Sequence, residues 1–121
     1  MKKYFVFFLL FYFLTHQENV RAQKSKMDSL ISILKKPNSD SLIADAYIQL
    51  FFLNEFSDST SVVKYLKEYE TFAHSKSNKK ELANVFRLYG FFNDDHGLYP
   101  EAIKSYEKSL KYSKEIGKFR M

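Results

Sequence analysis

Three glycines and two prolines are all that this chain of 121 residues has to interrupt a helix. Pro37, Gly97, Pro100 and Gly117 stand where a helix is expected to start or stop, and only Gly90 falls inside a helical pattern. Between these positions the apolar residues recur at spacings of three and four. A chain so poor in breakers and so periodic belongs to the all-α class. Cysteine is absent. Disulfides, thiolate metal sites and cysteine nucleophiles are therefore excluded.

The N-terminus has the order of a secretory signal peptide. Lys2 and Lys3 precede an uncharged apolar run from Tyr4 to Leu14, and Val20-Arg21-Ala22 presents small residues before Gln23. That order predicts cleavage between Ala22 and Gln23, with the product periplasmic or secreted. The apolar run is shorter than the roughly 17–25 residues that span a bilayer. Membrane contact is thus expected only through an uncleaved signal. The polar segment Thr15–Arg21 reads as a poor continuation of any helix core. No Cys follows the run to carry a lipid. The formal charge is +5 for the whole chain, but Lys2, Lys3 and Arg21 would leave with Glu18. The modest basic excess that remains is interleaved with Glu, as on solvated helix faces, and argues against nucleic acid as a partner.

Five helices are expected in the mature chain. A short first helix over about Lys26–Lys36 carries Met27, Leu30, Ile31 and Leu34 on one stripe, and Pro37-Asn38-Ser39-Asp40 ends it. The second spans 41–55 with Ile43, Ala46, Tyr47, Leu50, Phe51 and Leu53. Asp58 or Ser59 can cap a third, 60–75, with Val62, Val63, Leu66, Tyr69 and Phe72. Asn78 followed by Glu81 suggests a capping box for the fourth, 79–94, whose inward residues are Leu82, Val85, Phe86, Tyr89 and Phe92. The fifth, 100–116, carries Ala102, Ile103, Tyr106, Leu110 and Tyr112. Gly117 is expected to cap it. The apolar stripes of helices two to five are expected to meet in one core, with Gly90 opposite Ala102.

Helices two and four share a pattern: Leu50-Phe51-Phe52-Leu53-Asn54 is similar to Tyr89-Gly90-Phe91-Phe92-Asn93. Helices three and five align with Val62 on Ala102. Two helices in each period of about 40 residues mark a helical solenoid. The chain divides accordingly into 1–22 (signal), 23–40 (short helix and loop), 41–78 (a degenerate repeat), 79–117 (a full repeat) and 118–121 (tail).

Within 83–110 the residues Phe86, Tyr89 and Gly90, the turn Gly97-Leu98-Tyr99, and then Ala102 and Tyr106 resemble the signature of the tetratricopeptide repeat. Asn93 and Ser109 depart from it, and the proline usual after the second helix is missing. The first repeat matches less closely, since Phe51 and Val62 are bulkier than the family uses. The resemblance implies antiparallel hairpins stacked as a short solenoid and a scaffold that binds proteins or peptides. Its groove would be lined by Asp45, Ile48 and Phe52 in the first repeat and Asn84, Arg87 and Phe91 in the second. The layout also resembles the exported N-terminal repeat regions of signalling proteins of the Bacteroidetes lineage. On that resemblance the tail would begin a missing third repeat. The fifth helix would then show an uncovered apolar edge of Tyr106, Leu110 and Phe119, open to self-association.

No catalytic constellation is visible and no cofactor or metal is expected. Asp94-Asp95-His96 reads as a polar turn rather than a metal or acid–base cluster, because its spacing matches no ligand motif. His74 reads as a surface residue near a helix end. The serines have no histidine at motif spacing. A non-catalytic exported scaffold, part of a truncated sensor or signalling region, is the leading expectation. An inert gene fragment and a small exported ligand-binding protein or enzyme are the rivals. A pocket converging on Asp94, Asp95 and His96 would favour the enzyme, and an open groove along Asn84, Arg87 and Phe91 the scaffold.

Overall fold

The computed structural model describes residues 2–118. They form α1 (Lys2–Lys35), α2 (Asp40–Asn54), α3 (Ser59–Ser75), α4 (Lys79–Asp95) and α5 (Tyr99–Lys118), with no strand among the described residues. Neighbours in sequence are neighbours in space: α1 packs on α2, α2 on α3, α3 on α4 and α4 on α5. Cross-links show the antiparallel course of both hairpins. In α2–α3, Lys76 pairs with Asp40 at 3.5 Å and Tyr47 stacks on Tyr69. In α4–α5, Lys79 pairs with Glu115 at 3.3 Å, the Ser109 hydroxyl donates to the Ala83 carbonyl at 2.7 Å, and Asn93 donates to Ser105 at 3.4 Å.

The first helix differs from expectation. It runs unbroken from Lys2, through Thr15–Arg21 and the Ala22–Gln23 bond, to Lys35. The cause is local. No Gly or Pro precedes Pro37, and the Thr15 hydroxyl donates to the carbonyls of Phe11 and Tyr12 (3.1 and 2.9 Å), a bond tolerated in mid-helix. Residues 2–26 are exposed on every side, and Met27 is the first to turn inward. The front of α1 is helical by its own hydrogen bonds, without tertiary support.

The helix ends follow the capping residues. Ser39 accepts from the Leu42 N–H at 3.3 Å, Asp58 from Ser61 at 3.1 Å, and Asn78 from Glu81 at 3.1 Å. Two Ser61 hydrogen bonds hold the Asp58 carboxyl below its usual range. The capping box at α4 is only half made: the Glu81 side chain turns away from Asn78 to the Tyr69 hydroxyl, and the Asn78 N–H bonds the Ala73 carbonyl instead. The α3–α4 and α4–α5 turns share one geometry. Asn78 and Leu98 each reach back five residues, to Ala73 and Asn93, over a residue with positive φ. That residue is Gly97 (φ 71°) in one turn and Ser77 (φ 48°) in the other. Gly117 does not cap α5, which continues through Lys118.

Residues of α2 to α5 meet in one main cluster, and a second cluster lies between α1 and α2. The main core joins Ala44 and Phe51 of α2, Val62, Leu66, Tyr69 and Ala73 of α3, and Leu82, Val85 and Leu88 of α4, with Tyr112 of α5 packed against it. The second joins Leu30 of α1 to Ala46 and Leu50 of α2, flanked by Met27, Ile31, Ile33, Leu34, Leu53 and Tyr65. The rear of α1 thus covers a face of α2 that would otherwise be apolar and exposed. Fully burying a side chain such as Leu50 contributes roughly 1.5–3 kcal/mol.

Gly90 lies against the Tyr106 ring, and a Cβ there would overlap three ring carbons. Ala102 is itself buried. The first hairpin places Phe51 and Leu66 at the corresponding positions, both in the main core. Bulk has changed sides between the repeats, which is why Phe51 fits where the second repeat needs glycine.

Candidate functional site

The groove positions sit on the first helix of each hairpin, and the structure separates them into two kinds. Ile48 and Phe91 are half-buried and pack against the main core, Phe91 also meeting the Tyr106 ring edge-on at 6.1 Å. They contribute to the packing of the hairpins. Asn84 is half-buried, and its amide donates to Glu81 Oε2 at 3.5 Å. Asp45 is exposed and accepts from the Gln49 amide at 2.6 Å. Phe52 is 50% exposed, its ring edge-on to Phe51 at 5.2 Å. Arg87 is exposed and makes no hydrogen bond or ion pair among the described residues.

Behind Asn84 and Arg87 lies a polar network that spacing did not reveal. Tyr69, almost fully buried, donates to the carboxylate of Glu81, itself 9% exposed. Burial and then the Glu81 carboxylate push the Tyr69 phenol far above its ordinary range, while Asn84 and Arg87 oppose them. The positive field of Arg87 is therefore partly answered by an internal carboxylate. Tyr89 has a similar environment, raised by burial and then by Glu70 of α3. The sequence signal for Glu81 was ambiguous, because a Glu three residues after a cap residue has two uses: to return to the cap or to reach a neighbouring helix.

The hydrogen bonds of Asp94-Asp95-His96 are those of a helix end. α4 extends through Asp95, and His96 is its C-cap. His96 Nδ1 lies 2.7 Å from the Phe92 carbonyl and Nε2 lies 3.3 Å from the Ser59 hydroxyl, so the ring ties the two hairpins together. Glu55, at the end of α2, faces the Asp95 carboxyl. Burial and then that contact raise the Glu55 carboxyl. Burial, followed by Asp94 and Asp95, likewise raises the Tyr106 phenol. No group of three or more His, Asp or Glu side chains could hold a metal among the described residues. His74 is exposed.

Of the expected apolar edge on α5, Leu110 is exposed (54%) together with Ile103 (57%). Tyr106 is half-buried, because it fills the space that Gly90 leaves. Phe119 lies outside the described residues. Beside Asn84, an open hollow of about 310 Å³ is lined by Lys80, Ala83, Ser113, Ile116 and Gly117. No helix among the described residues is long and apolar enough to cross a membrane. No protein-family model, curated protein or solved structure matches this chain.

Proposed function

We propose that this protein is a non-catalytic, exported helical-repeat scaffold of the tetratricopeptide kind, which holds a protein or peptide against α2 and α4. The observation that carries the reading is the pair Phe52 and Arg87. Each stands exposed on the first helix of one of two successive hairpins, and Arg87 has no internal hydrogen bond. An exposed ring suits an apolar side chain, and a guanidinium suits a carboxylate through charge-assisted hydrogen bonds. The resemblance to exported repeat regions of signalling proteins supports a sensing role. Export rests on the order of charge, apolar run and small residues in 1–22. The fully exposed Tyr4–Leu14 stretch, which contributes nothing to the folded body, supports it too.

Display of random peptides against the exported protein tests the groove. Selected peptides should lose at least about tenfold in affinity, or ~1.4 kcal/mol, with Phe52→Ala or Arg87→Ala. Ile103→Ala on α5 should leave binding unchanged. Peptides insensitive to both groove variants would overturn the assignment.

A further inference from the structure

We propose that copies of this protein associate head to tail. The acidic end formed by the α2–α3 and α4–α5 turns docks on the lysine-bearing outer face of α5 in the next copy. Both surfaces lie outside residues 1–22, so the proposal is independent of export. The chain is basic overall, at +5, yet segments 50–63 and 88–103 hold Glu55, Asp58, Asp94, Asp95 and Glu101 and neither Lys nor Arg. The fold brings the two turns to the same end of the molecule: His96 Nε2 lies 3.3 Å from the Ser59 hydroxyl, and Asp95 faces Glu55. Apolar side chains project from the same turns. Phe56 is 87% exposed and Leu98 is 45% exposed.

The complementary surface is on α5, which packs chiefly on α4 and leaves its outer face uncovered. Leu110 is exposed there, beside an open hollow of about 410 Å³ lined also by Glu107, Lys111, Lys114 and Glu115. Lys104, Lys111 and Lys114 are exposed and form no ion pair among the described residues. Glu115 is already paired with Lys79, which leaves Glu107 as the one carboxylate opposing these lysines. The exposed Phe56 ring suits the hollow beside Leu110, and the carboxylates of the turn end suit the lysines around it. Charge also sets the symmetry. Two α5 faces placed together would set lysine against lysine, and two turn ends would set carboxylate against carboxylate. Like-charge contacts of that kind are costly, so neither two-fold arrangement is favoured. A head-to-tail contact leaves one surface of each terminal copy free, so the row of copies stays open.

The test is sedimentation of the protein purified from an exporting host, at low salt and at about 1 M salt, where charges are screened beyond roughly 3 Å. The native protein should form dimers and longer species at low salt and shift to monomer at high salt. Phe56→Ser with Asp94→Asn removes one surface, and Lys111→Glu with Lys114→Glu removes the other. All four positions are exposed, so the folded body is spared. Each double variant alone should associate at least about tenfold more weakly. Mixed together, they should form one-to-one pairs and nothing longer, because each supplies the surface the other lacks. Pairing in the mixture also shows that both variants are folded. A native protein that is monomeric at low salt, or whose association survives high salt unchanged, would overturn the proposal. So would association that only one double variant weakens, which marks a two-fold contact. Association that neither weakens would place the contact elsewhere, as on the exposed front of α1, and refute it as well. A mixture that fails to pair would refute it too.

Discussion

Replacing Gly90 by alanine sets two effects of known size against each other. Alanine is the better helix former, by about 0.8–1.0 kcal/mol in a helix interior. Opposing it, the new methyl overlaps three carbons of the Tyr106 ring. Forcing an extra carbon into a packed contact costs roughly 1–3 kcal/mol. The ring has limited room to retreat, because Phe91 holds it edge-on. The overlap outweighs the propensity, and Gly90→Ala should destabilise by about 1 kcal/mol, the difference of those two ranges. In a domain of this size that lowers the melting temperature by roughly 4–8 °C. The decisive measurement is the same substitution in a Tyr106→Leu background, which copies the first hairpin, where the corresponding residues Leu66 and Phe51 are both in the main core. With the ring gone only propensity remains, so Gly90→Ala should there stabilise by up to about 1 kcal/mol. Thermal and urea melts of the four proteins complete a double-mutant cycle. Stabilisation by Gly90→Ala in the native background, or the same sign in both, would refute the Gly90–Tyr106 contact.

Ser77 and Gly97 should respond in opposite directions. A left-handed conformation costs an L-residue roughly 1–2 kcal/mol, so Gly97→Ala should destabilise by about that much and Ser77→Gly should stabilise by somewhat less, read from chemical melts. Tyr69→Phe removes the donor to a buried Glu81 carboxylate and should cost about 1–3 kcal/mol; an unchanged melt would show that Glu81 is satisfied from elsewhere. The Glu55 carboxyl is raised in the folded protein, so its protonated form is favoured there. Its contribution is present in acid and is lost as pH rises through the raised value. Glu55→Gln should therefore stabilise the protein at neutral pH, with the gain shrinking below the ordinary carboxylate range. A gain independent of pH would exclude the Glu55–Asp95 contact as its origin.

Much of the fold was legible in residue order alone. Apolar spacing, cap residues and the scarcity of Gly and Pro place α2 to α5 within a residue or two, because each of these acts through local backbone bonding. The similarity of Leu50–Asn54 to Tyr89–Asn93 likewise exposes the two hairpins. The start of α1 was misread for a related reason. Polar Thr15–Arg21 looked like an interruption, yet polarity does not end a helix when no residue denies the backbone its bonds. Gly117 was misread in the converse way: glycine permits a cap without compelling one.

Tertiary structure decided which side chains meet. Sequence spacing places Gly90 and Ala102 on facing helices, and the tertiary structure sets the Tyr106 ring against Gly90. It sends Glu81 to Tyr69 rather than to its own cap, because a carboxylate near a buried phenol leaves that hydroxyl satisfied. It packs two of the six groove candidates, Ile48 and Phe91, against the main core and leaves Phe52 and Arg87 exposed. Helical periodicity assigns a residue to a face, but whether that face is covered depends on the neighbouring helix and its distance. That information is distributed over the whole chain and resides in no single segment of it.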